Sequence, residues 1–332
     1  MFEYSAGLDR CSPFATFHSR QYDAGRTANA APGATTKRCR FSTMVATGHQ
    51  GRKAMVGRRS RAARRGFVVE QIRRGEGPVE TRHGSPGRAL AGHVHSYRGY
   101  RNERGGSARL RLVPSLRLNL DISLGVRPRL AGSGAVPAGA VYGMRTDPAV
   151  LVRNEGEGVL VELTPPGAYT MLGVPLWELA NTVIDVADVL GRKAEQLVDR
   201  LAETPGWRAR LALLDNSLAI RAAVGPQPAP QVVWAWQQLC RSSCHIPIAQ
   251  LADEVGWTRR HLLTRFRQQI GLAPKTVSRV IRFQRALQLL QQPGSRPSVG
   301  SVAQLTGYSD QAHLTREFRA LAGVTPVRLA GA

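Results

Sequence analysis

The chain contains the stretch Leu251-Ala-Asp-Glu-Val-Gly256-Trp257-Thr258, and a related stretch, Val302-Ala-Gln-Leu-Thr-Gly307-Tyr308-Ser309, follows closer to the C-terminus. Each stretch places a glycine, an aromatic residue and a hydroxyl residue in the same order after an apolar segment. A segment with helical spacing of its apolar residues follows in both copies and ends before a glycine and a proline. The chain therefore carries an internal repeat, and we predict an all-α domain over 231–332.

Each copy has the pattern of a helix-turn-helix motif. The glycine can adopt the positive φ that ends a helix, the aromatic residue fills the corner, and the hydroxyl residue caps the next helix. The residues that we expect to form the two turns and to pack beneath the second helices are Gly256, Trp257, Thr258, Leu262, Phe266, Gly307, Tyr308, Ser309, Leu314, Phe318 and Pro326.

The second helix of each copy keeps a polar and basic face opposite its apolar stripe. Such a face fits the major groove of DNA, which is about 12 Å wide. The alternative is a pair of ordinary helical hairpins without a ligand. Residues 230–332 carry 13 Lys and Arg against 4 Asp and Glu, a net charge of +9. This excess, together with the duplication, favours DNA binding.

A long helix is predicted between the two copies, over 274–292. Its apolar stripe consists of Val280, Phe283, Leu287 and Leu290. Arg279, Arg282 and Arg285 follow at three-residue steps beside this stripe, and either contact with DNA phosphates or a solvated basic face explains them. A rigid helix here would hold the two recognition helices at a fixed separation, so that they reach successive major grooves about 34 Å apart.

The rest of the chain divides where its composition changes. Residues 1–87 carry a net charge of +10 without helical or strand periodicity, which predicts a disordered basic tail or a start codon placed upstream of the true one. Residues 88–224 are nearly balanced in charge and are predicted to form an α+β domain that is β-rich and then helical. Residues 225–230 contain three prolines and are predicted to be a linker.

Apolar periodicity also predicts the elements of the middle domain. Alternation indicates half-buried antiparallel strands, and a three- to four-residue spacing after Pro175 indicates helices. The predicted strands are 110–113, 116–122, 150–152 and 159–163, and the predicted helices are 176–190, closed by Gly191, then 192–203 and 207–224.

The overall charge restricts the class of partner. The chain of 332 residues has a net charge of +23, which indicates a polyanion, with nucleic acid favoured over an anionic membrane. Four cysteines are too few for a disulfide scaffold, and no apolar run is long enough to span a bilayer. We therefore expect a soluble, cytoplasmic, nucleoid-associated protein that binds double-stranded DNA and no membrane.

Two groups of residues have the types that bind metals. Cys240, Cys244 and His245 have a zinc-like spacing without an evident fourth ligand, and His93 and His95 would share one face of a strand. A buried cysteine and exposed histidines explain both groups more simply. We expect no metal site, no cofactor and no catalytic residue, and hence no enzyme.

Residues 231–332 resemble the DNA-binding domain of the AraC/XylS family of bacterial transcription regulators. The stretches that carry this resemblance are Arg285-Ala-Leu-Gln-Leu-Leu290, Val302-Ala-Gln-Leu-Thr-Gly-Tyr308-Ser309, Leu314, Phe318 and Gly323-Val-Thr-Pro326. A looser resemblance over 88–224, which includes His95-Ser-Tyr-Arg-Gly-Tyr100, implies the β-rich sensing or dimerising domain of an actinobacterial-type subgroup.

The resemblance implies a sequence-specific regulator with two homeodomain-like helix-turn-helix motifs. A small-molecule effector, RNA polymerase and a second copy of the chain are candidate partners besides DNA. The implied base-reading residues are Arg259, Arg260, Leu263 and Thr264 in the first copy and Asp310, Gln311, Ala312 and Arg316 in the second. We assign phosphate contacts to Thr315, Arg279 and Arg282.

Two other functions stay open at this point. Some DNA-alkylation repair proteins append a domain of this family to a reactive cysteine, and Cys11 and Cys39 lie in the N-terminal region. A non-specific DNA-binding protein, driven by the basic run Arg52–Arg65, would bind in a salt-sensitive way without regard to sequence.

Overall fold

The structure is a computed structural model. It describes residues 69–74, 79–102, 107–153, 156–242, 246–292 and 297–331. The predictions for the tail over 1–68, including Cys11, Cys39 and the basic run, lie outside these residues, as do Cys244 and His245.

The middle of the chain forms two antiparallel sheets. Sheet A orders its strands β1-β4-β9-β6-β7, and sheet B orders them β11-β8-β5-β10-β3-β2. The strands are β1 (Val69–Arg74), β2 (Val79–Gly84), β3 (Val94–Asn102), β4 (Ser107–Leu112), β5 (Leu118–Ser123), β6 (Arg129–Leu130), β7 (Gly134–Ala135), β8 (Gly139–Tyr142), β9 (Ala149–Arg153), β10 (Gly156–Leu163) and β11 (Val183–Asp185).

Four of these strands confirm the sequence alternation, because β4, β5, β9 and β10 overlap the predicted segments. The expectation of half-burial is wrong for β5, in which all six residues are buried. Its apolar residues face the helices, where they join the main core, and its alternate residues face sheet A. A strand in the interior of a two-sheet layer is covered on both faces, which the alternation alone does not show.

The predicted tail over 1–87 is wrong for its last part. β1 and β2 lie within that range, and each pairs with one neighbour only, β1 with β4 and β2 with β3. Both are therefore edge strands of their sheets. An edge strand needs no apolar run on both faces, so polar segments such as Val79–Gly84 pair without showing a clear strand period.

Helices follow the sheets. They are α1 (Pro165–Leu172), α2 (Val186–Leu190), α3 (Arg192–Glu203), α4 (Trp207–Val224), α5 (Pro230–Arg241), α6 (Ile248–Glu254), α7 (Arg259–Ile270), α8 (Pro274–Leu290), α9 (Val299–Leu305), α10 (Gln311–Ala322) and α11 (Pro326–Ala330). Of the helices in the described ranges, none has the length and apolar character needed to cross a membrane.

The helix predicted over 176–190 is wrong. Residues Leu176–Leu179 form a 3-10 turn, Asn181 takes a left-handed φ of 61°, and Val183–Asp185 pairs with β8 in sheet B. The apolar spacing is satisfied instead by three short elements on the same core. Gly191 does end α2, and α3 and α4 occupy their predicted ranges.

The core continues across the proline-rich segment. One apolar cluster includes residues of sheet B, of α1 and α4, and of α5 to α7. Pro230 belongs to this second group, since it begins α5 and is not part of a linker, as the prediction had it. The segment 225–229 separates two helices along the chain, but the helical domain packs directly on the sheet domain.

Gly271 shows how closely the two domains approach each other. It ends α7 with a φ of 100°. A Cβ added there would lie 3.1 Å from the Leu176 carbonyl oxygen and 3.1 Å from the Met144 methyl carbon. Farther along the chain, Arg111 donates to the Ala322 carbonyl at 3.1 Å. Both halves of the helical domain therefore contact the sheet domain.

Candidate nucleic-acid interface

The first helix pair consists of α6 and α7. Gly256 between them has a φ of 69°, as predicted for a glycine that ends a helix. The Thr258 hydroxyl accepts from the His261 backbone N–H at 3.2 Å, so Thr258 caps α7 as predicted. The ring of Trp257 meets the His261 ring edge to face at 4.5 Å between centroids. Beneath α7, Leu262 and Phe266 are fully buried.

The second helix pair consists of α9 and α10 and has the same plan, with Gly307 at a φ of 75°. The prediction that Ser309 caps α10 is wrong. Asp310 is the cap, and its carboxylate accepts from the His313 backbone N–H at 2.6 Å. This hydrogen bond holds the pKa of Asp310 below its usual value. The Ser309 hydroxyl instead lies 3.0 Å from Nδ1 of His313.

The shift of the cap by one residue follows from side-chain chemistry. A carboxylate accepts hydrogen bonds strongly and interacts favourably with the positive end of the helix dipole. The second copy has one more residue than the first between its glycine and its histidine, so Asp310 occupies the capping position that Thr258 holds in the first copy. A duplicated hydroxyl residue was therefore a misleading guide to the cap.

Most of the predicted base-reading residues lie on exposed surfaces of α7 and α10. Arg259, Arg260 and Thr264 are exposed at the start of α7, and Leu263 is half-buried. On the second pair, the exposed residues are Asp310, Gln311, Ala312 and Arg316. The fold thus brings each predicted set together on one helix, with its apolar stripe facing the core.

The two threonines have their hydroxyl protons engaged. Thr264 donates to the Arg260 carbonyl at 3.0 Å, and Thr315 donates to the Gln311 carbonyl at 2.8 Å. A threonine hydroxyl has a single proton, and a phosphate oxygen can only accept. Contact of Thr264 or Thr315 with a phosphate would therefore require the hydroxyl to leave the helix backbone.

The two arginines assigned to phosphate contact have partners inside the domain. Arg279 on α8 pairs with Glu317 on α10 at 2.6 Å. Arg282 donates to the Gly307 carbonyl at 3.3 Å and lies over the Tyr308 ring at 5.4 Å from its centroid. These contacts tie α8 to the second helix pair, a role that the sequence pattern did not reveal.

The matched histidines are a feature whose role sequence reasoning missed. His261 and His313 occupy the same position in the two copies, and each meets the aromatic residue of its own turn edge to face. Their rings therefore brace the turn against the first residues of the next helix. The repetition of histidine at one position, next to a repeated aromatic residue, was the available signal.

The candidate metal ligands are not brought together. In the ranges that the structure covers, no three His, Cys, Asp or Glu side chains form a group able to hold a metal ion. Cys240 is a half-buried residue on α5. His93 is partly buried before β3, and this burial lowers the pKa of its imidazole, while His95 lies on β3.

The sequence of these helix pairs matches a known family. Residues 251–331 match the family model described as a helix-turn-helix domain. The C-terminal domain is an AraC-type helix-turn-helix domain. This confirms the resemblance on which the base-reading assignments rest, for the residues that are matched.

Relatives of the AraC-type domain share only part of their length with this chain. An uncharacterized HTH-type transcriptional regulator of Bacillus subtilis, YbfI, is 37% identical over 70 residues, which are 21% of this chain. The chain spans 24% of the length of that relative.

Two solved structures are also similar to the chain. ToxT from Vibrio cholerae is 9% identical, with a TM-score of 0.39, over 76% of this chain and 97% of its own. An AraC-type regulator from Chromobacterium violaceum is 26% identical, with a TM-score of 0.28, over 31% of this chain and 90% of its own.

Proposed function

We propose that this chain is a sequence-specific transcription regulator of the AraC/XylS type, in which α7 and α10 are two recognition helices that enter successive major grooves. The observation that carries the proposal is the repeated geometry of the two helix pairs. Each pair has a positive-φ glycine, a capped second helix and an exposed polar first turn on that helix. This is the arrangement through which helix-turn-helix proteins contact base edges.

The first turn of α7 supplies the strongest candidate for base recognition. Arg259 and Arg260 are exposed there, and a guanidinium can donate to O6 and N7 of guanine together. On α10, Gln311 has the amide that matches N6 and N7 of adenine. The Asp310 carboxylate accepts only, so it suits the exocyclic amine of cytosine and would repel a phosphate.

The long helix α8 fixes the two recognition helices relative to each other. Its 17 residues span about 25 Å at the usual rise per residue. Val280, Phe283 and Leu287 bury its apolar stripe, and the Arg279–Glu317 pair joins it to α10. Two helices held in this way would read two blocks of one DNA site about 10 base pairs apart.

We assign the remaining roles to the whole chain as parts of the same proposal. The sheet domain would sense a small-molecule effector or pair with a second copy, and RNA polymerase would be contacted at the promoter. Because the two domains share an apolar core, a change in the sheet domain has a direct route to α7. The protein would act in the cytoplasm, on the nucleoid.

The proposal is tested by selecting bound sequences from random DNA with the full chain, at low and at physiological salt. We expect one enriched motif with two blocks whose centres are about 10 base pairs apart, retained at the higher salt. Binding without enrichment that fades steeply as salt rises would show a non-specific DNA-binding protein and refute the regulator proposal.

A further inference from the structure

The face of sheet B that looks toward sheet A is polar, although it is buried. Ser96, Glu162, Asn119 and Tyr142 stand opposite one another on β3, β10, β5 and β8, so their side chains form one row across the sheet. Asn119 is 1% exposed, Tyr142 3% and Glu162 0%. Burial of so many polar groups between two sheets is costly unless each has a partner.

The charged groups on this face neutralise each other. Glu162 accepts from Arg98 at 3.1 Å. Asp121 pairs with Arg153 and also accepts from the Tyr100 hydroxyl at 2.9 Å. The Arg153 guanidinium lies 3.9 Å from the centre of the Tyr100 ring. A molecule bound beside these pairs would therefore meet little net charge.

The neighbouring neutral groups have no such partners. In the described part of the chain, neither the amide nitrogen nor the amide oxygen of Asn119 makes a hydrogen bond, and the same holds for the Tyr142 hydroxyl. Burial raises the pKa of Tyr142, so this hydroxyl stays protonated and can donate. Buried polar atoms without partners are rare in folded proteins, and two adjacent residues that share this property indicate a ligand.

The apolar side chains around this row come from both sheets. Leu112 and Leu151 of sheet A, together with Val136, pack with Ala140 and Tyr142 of sheet B. A ligand at this place would thus have an apolar wall on one side. On the other side, Asn119 and Tyr142 offer both donors and acceptors.

We propose that a small uncharged molecule carrying hydroxyl groups binds between the two sheets, with Asn119 and Tyr142 as its hydrogen-bonding residues. A hydroxyl both donates and accepts, which matches an amide and a phenol, whereas an anion or a cation would face paired charges of its own sign. The role of this molecule as the effector rests on the proposed regulator function. Its binding does not.

The first test needs no ligand and measures the melting temperature of the full chain. We expect Tyr142→Phe and Asn119→Leu each to raise it by about 2–4 °C, because each removes buried polar atoms that lack partners. The matched control is Tyr97→Phe, whose hydroxyl donates to Asp215 at 2.9 Å, and this variant should melt at a lower temperature. A lower melting temperature for both Tyr142→Phe and Asn119→Leu would show that their polar groups are bonded within the protein and would overturn the proposal.

The second test adds ligand probes to the same proteins. Aldopentoses, aldohexoses and glycerol are each added at 10 mM-scale concentration, on the order of ten times a millimolar Kd. We expect at least one to raise the melting temperature of the unmodified chain and to have no effect on Asn119→Leu. No shift with any of them would refute the ligand class. Failure of the DNA selection would refute the regulator function alone and leave a positive shift standing.

Discussion

Replacing Arg260 by alanine tests base recognition by α7 most sharply. Arg260 is the second residue of α7 and is exposed, so its loss should leave the fold intact. One bidentate arginine–guanine pair contributes about 1–3 kcal/mol to discrimination. This corresponds to about a 5- to 150-fold weaker Kd for the selected site at 25 °C. The assay is fluorescence anisotropy with the selected duplex and with a scrambled duplex of equal length.

The matched control is Arg265→Ala on the same helix. Arg265 is half-buried and donates to Gln268 at 2.9 Å, so this variant removes the same charge from α7 without removing a predicted base contact. We expect Arg265→Ala to weaken binding to both duplexes equally, and Arg260→Ala to weaken binding mainly to the selected one. An equal loss on both duplexes for Arg260→Ala would refute its base-reading role and indicate a phosphate contact.

Two further predictions concern stability. Phe318 is fully buried and its ring meets that of Phe283 at 4.7 Å, so Phe318→Ala should lower the free energy of unfolding by about 3–5 kcal/mol in a urea titration, and a loss under about 1 kcal/mol would contradict this packing. Burial alone would raise the pKa of Glu157, but hydrogen bonds from Arg210 and Arg101 outweigh it and hold that pKa below 4.5. The stability that this carboxylate contributes is therefore present above pH 4.5 and is lost as the pH falls through its lowered value, so Glu157→Gln should flatten the dependence of unfolding free energy on pH below 4.5; an unchanged slope would count against the ion pairs.

The helical domain could be predicted closely because its local signals agree with one another. Gly256 and Gly307 both take the positive φ that their place in the repeat predicts, and the stripe of α8 is buried as its spacing indicates. The cap of the second pair was misassigned, because Asp310 competes with Ser309 and a carboxylate is at least as good a cap. Local chemistry, more than the repeat, decides such a position.

The sheet domain could be predicted only in part, because its structure depends on distant pairing. The spacing of Leu176 to Leu190 suits a helix, yet sheet B takes Val183–Asp185 as a strand beside β8. β1 and β2 pair at sheet edges, where a weak pattern suffices. The buried polar row containing Asn119 looked like the solvent face of a strand, since one sequence does not show that a second sheet covers it.

The central claim is that both recognition helices of one chain read one DNA site. The most direct measurement compares the Kd for the selected site with that for the same site after 5 base pairs are inserted between its two blocks. Half a helical turn places the blocks on opposite faces of the duplex, and the rigid α8 cannot follow them. We predict that affinity falls to that of a single block; unchanged affinity would contradict the account.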